Sequence, residues 1–195
     1  HSRENNEAES RNNWESALAE AAFMTGLERN ADLVQMCSYA PLFAHVDAWQ
    51  WRPDLIWFDN LNSVATPNYY VQKLFSNNKG TDVVKILENN NILAGKDSLY
   101  ASAVIDNKTG ELIIKIVNNS SKAQEIELNI TGKKIKKSAG VMQVLSASDL
   151  YSYNKLSELD KLAPVEKAIE MKGNKVQQQV APYSVNVIKL TYPSK

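Results

Sequence analysis

Glu125-Ile126-Glu127-Leu128-Asn129-Ile130 alternates polar and apolar side chains at every step. Because successive side chains of a β-strand point to opposite faces, this period of two predicts a strand with one buried and one solvated face. Further strand-like runs lie at residues 112–117, 141–145, 176–180 and 184–190, and turn-forming residues lie at 107–110 and 118–121. The C-terminal half is therefore predicted to be an antiparallel β-sandwich of the jelly-roll or immunoglobulin-like type.

The chain before Gly80 has a helical pattern instead, and it contains all four tryptophans. Residues 14–30 repeat apolar side chains at helical spacing. Asn12 is the expected N-cap, with Glu15 completing a capping-box-like pair, and Asn30 is expected to end the helix in a left-handed conformation. Thr66-Pro67 predicts the start of a second helix, since threonine caps helices and proline suits their first turn. Residues 77–80 are expected to end it.

Residues 33–39 form a short, nearly unbroken apolar run between the two predicted helices. Strands that are buried on both faces, as parallel strands are, have this pattern. Cys37 lies within the run and is expected to be a buried, inert thiol. A helix followed by a buried strand is typical of an α/β barrel or a doubly wound sheet. No low-complexity linker separates this half from the β half, so we expect the two to pack directly.

Composition and charge argue against several classes of function. Lys and Arg together number 22, as do Asp and Glu, so a net charge of zero predicts neither a nucleic-acid partner nor an anionic membrane partner. No run of about 18 apolar residues is present to span a bilayer. With two histidines far apart, neither a metal site nor a cofactor is expected. One cysteine allows no internal disulfide and leaves the compartment open. The lysine-rich run at 133–137 predicts a solvated hairpin rim.

The segment of residues 40–65 is long and aromatic, and such loops in compact domains are more often functional than passive. Its tryptophan rings lie beside imidazole, amide and carboxylate groups. This combination suits a sugar, whose apolar face stacks on a ring while its hydroxyls form hydrogen bonds. The segment is therefore predicted to contribute to a carbohydrate site.

Two other interpretations of the segment remain open. Trp57 and Phe58 would be packing residues of a folded loop, with Asp47 and Asp59 capping turns. Alternatively, two of its aspartates would be the acid and base of a glycosidase, which needs two carboxylates about 5–10 Å apart. The candidates for that pair are Asp47, Asp54 and Asp59. The turn-like surroundings of Asp54 and Asp59 argue against this second interpretation.

Long blocks of the sequence resemble the family 51 α-L-arabinofuranosidases. They lie at residues 13–30, 38–45, 49–59 and 66–76. The second block reads Ser38-Tyr39-Ala40-Pro41-Leu42-Phe43-Ala44-His45, and the third reads Trp49-Gln50-Trp51-Arg52-Pro53-Asp54-Leu55-Ile56-Trp57-Phe58-Asp59. A weaker likeness, to the family's C-terminal sandwich, lies in Ala181-Pro182-Tyr183-Ser184-Val185.

The resemblance implies an α+β fragment in two parts. Residues 1–80 would be the C-terminal remnant of the catalytic (β/α)8 barrel, with its last two helices and last strand. Within it, residues 1–12 would be the loop after strand seven and residues 33–39 strand eight. Residues 81–195 would be a C-terminal, jelly-roll-like β-sandwich. The rest of the barrel would then be the partner of this chain.

The resemblance also implies a retaining hydrolase whose parent releases terminal α-L-arabinofuranosyl units from arabinose-containing polysaccharides or oligosaccharides. In such enzymes one glutamate attacks the sugar and another is the acid/base. Both motifs would lie upstream of His1, so no residue of this chain is expected to be catalytic. The segment after strand eight, around His45, Trp49 and Trp51, is expected to shape the arabinose pocket.

Two roles stay open for the β half. It would be a carbohydrate-binding module, although it contains no tryptophan, or a structural layer that closes and stabilises the barrel. An excised part of a barrel should expose apolar faces, so we expect either a homo-oligomer or rearrangement or mobility of the first 80 residues. The polar start His1-Ser2-Arg3 is typical of a cut end. A polysaccharide-degrading parent favours a secreted or periplasmic location.

Overall fold

A computed structural model describes residues 12–51, 53–132, 135 and 139–192. Its α-helices within these ranges are α1 (Trp14–Arg29) and α2 (Pro67–Asn77). Its strands are β1 (Phe43–His45), β2 (Ile56–Phe58), β3 (Ser63–Ala65), β4 (Asp82–Val84), β5 (Leu87–Glu88), β6 (Asn91–Ile92), β7 (Leu99–Asp106), β8 (Glu111–Asn118), β9 (Gln124–Asn129), β10 (Ala139–Ser146), β11 (Val165–Glu170), β12 (Lys175–Val180) and β13 (Ser184–Thr191). The predicted loop at residues 1–12, apart from Asn12, and the lysines of the run at 133–137 lie outside the described residues.

The helices begin at side chains that accept bonds from the free N–H groups of their first turn. Thr66 caps α2 as predicted. At α1 the cap is Asn13, whose Oδ1 accepts a bond from Ser16 N at 3.0 Å, and the prediction of Asn12 is wrong. Asn12 is buried and its amide is held by tertiary contacts, so it is not available to the helix. Asn30 ends α1 at φ −108°, outside the predicted left-handed region, and its amide binds a carbonyl one turn back.

The largest sheet among the described residues has six antiparallel strands in the order β11-β10-β13-β8-β7-β4. The strands β9 and β12 pair separately with each other, as do β5 and β6. All five predicted strand runs are confirmed, as β8, β9, β10, β12 and β13. The predicted turn at 107–110 joins β7 to β8, and Gly110 has a φ of 70° there, which glycine adopts at little cost. The molecule is mostly β-sheet, as predicted for the C-terminal half.

The large sheet buries both of its faces, which is clearest on β8. Ile113 points to the helices and shares a core with Trp14 of α1 and Val71 of α2. Its neighbour Ile114 points to the opposite face and shares a second core with Val176 of β12. Successive residues of a strand serve opposite faces, so one strand contributes to both cores. The expectation that the helical and β halves pack directly is confirmed.

Residues 33–39 are not a strand, which corrects the prediction of a buried strand there. Leu33 and Met36 are 79% and 88% exposed, and Cys37 is exposed and not buried as expected. A strand needs neighbours that satisfy its backbone groups, and no strand within the described ranges pairs with these residues. Apolar composition alone is therefore not sufficient to form a strand at these residues.

The aromatic segment is not one long loop, because it contains a small sheet in the order β1-β2-β3. The strands β1 and β2 are parallel, with His45 opposite Phe58 at their ends. The strand β3 then returns antiparallel to β2 and leads into α2. A small core of Ala44, Trp57 and Val64, one from each strand, holds the three together.

Lys115 is a fully buried charged side chain on the helix-facing side of β8. Its Nζ lies 2.5 Å from Glu28 Oε1 of α1, donates to the Asn78 carbonyl at 2.7 Å, and lies 5.4 Å from the centre of the Phe75 ring. Ser102 Oγ donates to the other oxygen of Glu28 at 2.5 Å. Burial lowers the pKa of Lys115, and the charge of Glu28 opposes this effect. The ion pair thus joins α1 to the sheet inside the shared core.

Glu20 joins the two helices, and its ionisation should make stability depend on pH. Its carboxylate accepts bonds from Asn68 and Gln72 of α2. Burial raises the pKa of Glu20, and those two bonds only partly oppose it. Folding therefore favours the protonated carboxyl of Glu20. The protonated group contributes its full stability at pH values below the ordinary pKa of a glutamate. This contribution is lost as pH rises through the raised pKa of the folded state. We expect the free energy of unfolding of the wild type, relative to Glu20→Gln, to fall as pH rises above the ordinary pKa of a glutamate.

Urea unfolding at several pH values measures this difference. Glu15→Gln is the matched control, because Glu15 is an exposed glutamate of the same helix. A pH-independent difference between wild type and Glu20→Gln would contradict the assignment.

Candidate functional site

A surface cavity of about 390 Å³ lies beside the small sheet. The cavity is lined by residues of β1, by residues of the segments on either side of β1, and by the last residue of β2. They are Pro41, Phe43, Ala44, His45, Ala48, Trp49, Gln50, Trp51, Asp54 and Phe58. The structure thus brings the predicted residues His45, Trp49 and Trp51 to one cavity. The lining combines aromatic rings with imidazole, amide and carboxylate groups, which is the chemistry expected of a sugar site.

The backbone fixes the hydrogen-bonding state of His45 at the end of β1. Its Nδ1 accepts a bond from Asp47 N at 3.2 Å, so the neutral imidazole carries its proton on Nε2. The ring also meets Phe58 edge to face, with centroids 5.3 Å apart. His45 is therefore held as a donor through Nε2, which suits a hydroxyl acceptor.

The three tryptophans of the segment have different surroundings. Trp57 is 3% exposed and belongs to the small core, so its interpretation as a packing residue is confirmed. Trp49 is half-buried and meets Trp57 edge to face at 6.4 Å. Trp51 is 69% exposed, which leaves its ring open to a ligand. Phe58, the other proposed packing residue, is half-buried and lines the cavity.

The three aspartates are also not equivalent. Asp59 Oδ1 accepts bonds from Leu61 N at 2.7 Å and Asn62 N at 2.6 Å, and these bonds lower its pKa. It therefore caps a turn, as the interpretation with Trp57 and Phe58 as packing residues predicts. Asp47 is exposed, whereas Asp54 is 2% exposed and lines the cavity. Asp54 and Gln50 are lining residues that were not among the predicted binding residues. In the sequence, Asp54 was a candidate only for the acid or base, and the one signal for Gln50 was its position between Trp49 and Trp51.

A buried network ties this segment to the helix starts. The Asn12 amide donates to Tyr39 Oη at 2.9 Å and to the Asp54 carbonyl at 3.0 Å. Thr66, the cap of α2, donates through Oγ1 to the Leu55 carbonyl at 2.8 Å. Burial raises the pKa of Tyr39 to about 12, so its hydroxyl remains protonated at neutral pH. These contacts fix the position of the backbone just before β2.

Other kinds of site are not found in the part of the chain that the structure describes. There, no three His, Cys, Asp or Glu side chains come together as a metal ion needs. Neither helix of that part is long and apolar enough to cross a lipid bilayer.

The fold agrees with a family comparison. A family model described as the α-L-arabinofuranosidase C-terminal domain matches residues 1–184. The match covers most of the chain, so the chain belongs to this family. The resemblance found in the sequence blocks is thereby confirmed.

Curated relatives carry the same activity in their names. The extracellular exo-α-L-arabinofuranosidase of Streptomyces chartreusis is 63% identical over 73 residues, which are 37% of this chain and 9% of that protein. The α-L-arabinofuranosidase 1 of Arabidopsis thaliana is 31% identical over 180 residues, which are 90% of this chain and 26% of that protein. The chain therefore spans about a quarter or less of the length of these relatives.

Solved structures match over nearly the whole chain. The arabinose-bound α-L-arabinofuranosidase MgGH51 matches with a TM-score of 0.84 and 34% identity, covering 94% of this chain and 28% of that one. The arabinose complex of the Thermotoga maritima α-L-arabinofuranosidase matches with a TM-score of 0.77 and 16% identity, covering 97% of this chain and 41% of that one. At that identity the second match shows a shared fold.

Proposed function

We propose that this chain is the C-terminal part of a retaining α-L-arabinofuranosidase. The parent enzyme releases terminal α-L-arabinofuranosyl units from arabinose-containing polysaccharides or oligosaccharides. One observation carries the proposal: 94% of the chain superposes on 28% of an arabinose-bound enzyme of this type, with 34% identity. Both catalytic glutamates lie in the rest of the parent, and no residue of this chain is assigned a catalytic role.

The architecture that we propose divides the chain near Gly80. Residues 1–80 complete the catalytic (β/α)8 barrel, and residues 81–195 form a jelly-roll-like β-sandwich. The exposed apolar side chains support this proposal, because Leu33, Met36 and Leu61 are 79%, 88% and 91% exposed. Exposed apolar patches mark partner surfaces, and in this proposal the partner is the rest of the barrel. Self-association of the isolated chain through the same side chains stays a prediction.

Within the parent, the cavity forms part of the wall of the arabinose pocket. The exposed ring of Trp51 stacks on the apolar face of a sugar, and Trp49 forms the adjoining surface. His45 donates from Nε2 to a sugar hydroxyl, since Nδ1 is already an acceptor. The role of the chain in the reaction is therefore to hold the sugar and to support the barrel.

Removing the Trp51 ring from the parent enzyme should weaken substrate binding. We expect Trp51→Ala to raise KM for an aryl α-L-arabinofuranoside about tenfold, which corresponds to about 1.4 kcal/mol. The melting temperature should change little, because the ring is 69% exposed. Phe23→Ala is the matched control, since Phe23 is an aromatic side chain of α1 that is 66% exposed and does not line the cavity. Equal KM values for the two variants would contradict the binding role.

The same substrate tests whether catalysis requires the part of the parent enzyme that lies outside this chain. The parent should turn over the aryl glycoside, and the isolated chain should not. Turnover by the isolated chain at rates typical of enzymes would refute the assignment of catalysis to the rest of the parent.

A further inference from the structure

Residues 147–164, between β10 and β11, form a strap that leaves the large sheet and crosses both helices. Its backbone carbonyls at Leu150 and Ser152 accept bonds from the first N–H groups of α1, both at 2.8 Å. Further along, Asp160 of the strap accepts a bond from the hydroxyl of Tyr70 on α2. The strap thus connects the β half of the chain to the helices at several points.

The strap reaches its furthest point at the small sheet that bears the cavity. Asn154 is 6% exposed, and its amide donates to the Ala65 carbonyl at the end of β3 at 2.9 Å. The same amide also donates to the Leu162 carbonyl at 3.0 Å, and Asn154 Oδ1 accepts a bond from Leu162 N at 2.7 Å. A tight turn follows, closed by a bond from Glu158 N to the Lys155 carbonyl at 2.9 Å. The backbone of this turn is therefore fixed relative to the small sheet.

Leu156 lies in that turn and is half-buried against the small core of Ala44, Trp57 and Val64. Leu156 is one of three partly buried apolar side chains, with Val46 and Trp49, that pack against this core. Trp49 packs against the same core and meets the edge of Trp57. A side chain of the β half thus packs against the same small core as Trp49, a tryptophan that lines the cavity.

We propose that Leu156 is a positioning residue for the sugar site, holding Trp57 and through it Trp49 in the orientation that the ligand meets. This inference rests on the proposed function of the cavity. Truncating Leu156 would open a space beside Trp57, and packed side chains move or lose contacts when such a space appears. The Trp49 ring would then sample more than one orientation. The β part would therefore influence substrate binding directly, in addition to stabilising the barrel.

The test compares Leu156→Ala with Leu159→Ala in the parent enzyme. Leu159 is the matched control, because it is a leucine of the same strap that is 50% exposed and lies outside the small core. We expect Leu156→Ala to raise KM for the aryl arabinofuranoside about five- to tenfold, with a smaller change in kcat. Acrylamide should quench tryptophan fluorescence more strongly in Leu156→Ala than in Leu159→Ala. Leu156→Met, which keeps the apolar volume, should restore most of both signals.

The outcomes separate this proposal from the one on which it rests. If Trp51→Ala raises KM but Leu156→Ala leaves it at the Leu159→Ala value, the positioning role is overturned and the sugar site stands. If Leu156→Ala lowers kcat through a smaller active fraction, with KM and quenching unchanged, Leu156 has a structural role only. If neither Trp51→Ala nor Leu156→Ala changes KM, the cavity is not the sugar site and the positioning role is overturned with it.

Discussion

Lys115→Ala is expected to lower the free energy of unfolding of the chain by about 3–5 kcal/mol, measured by urea denaturation. The substitution removes one partner of an ion pair inside the core that the helices share with the sheet. Glu28 would remain with a side chain only 14% exposed and with its positive partner gone. The Asn78 carbonyl would lose its donor as well. Desolvation of these groups costs far more than the attraction of an exposed pair contributes.

Lys175→Ala is the matched control for this prediction. Lys175 pairs with Glu127 at 2.9 Å, but its side chain is 56% exposed, so water and salt screen the interaction. Lys175→Ala should therefore lower the free energy of unfolding much less than Lys115→Ala does. Replacing both members of the buried pair, as in Lys115→Met with Glu28→Leu, should recover most of the stability because no buried charge remains. A double variant as unstable as Lys115→Ala would show that packing, and not the unpaired charge, dominates.

Trp14→Ala should have an effect of similar size, about 3–5 kcal/mol, because it deletes a fully buried ring from the shared core. The indole also donates from Nε1 to the Tyr183 carbonyl at 2.9 Å, which joins the start of α1 to the turn before β13. Trp14→Phe keeps much of the ring and removes only that donor, so its cost should be about 1–3 kcal/mol. Both values are read from the same urea transitions.

Phe23→Ala serves as the control for Trp14 because it removes an exposed aromatic ring from the same helix. It should change stability little. If Trp14→Ala were no more costly than Phe23→Ala, α1 would not be docked on the sheet as described.

The fold was predictable where local pattern and burial coincide. The alternation at 125–130 and the runs that became β8 and β13 identify strands because each apolar side chain meets a core on its own face. The order of the strands in the sheet was not predictable, since β13 pairs with β8 and β10 at large sequence separations. The prediction of a strand at 33–39 was wrong because apolar residues form a buried strand only when neighbouring strands pair with them.

The residue types of the candidate site could be predicted from the sequence, but the residues that pack behind them could not. Trp51 and His45 belong to an aromatic segment that is unusual in the sequence itself. The burial of Trp57 depends on its place in the middle of the short strand β2 and on a small core against which Leu156, about a hundred residues away, also packs. No local pattern around Leu156 indicates that contact, because it depends on how the strap crosses the helices.

The bond between Trp14 and the Tyr183 carbonyl joins residues 169 positions apart, and this separation has a consequence for the order of events on the ribosome. At about 5–20 residues per second, Tyr183 is synthesised about 8–34 s after Trp14. During that interval α1 has neither this partner nor β13 to cover its apolar side. A nascent chain therefore leaves the apolar side of this helix uncovered by β13 during that interval, and the final docking of α1 can occur only after Tyr183 and β13 have been synthesised.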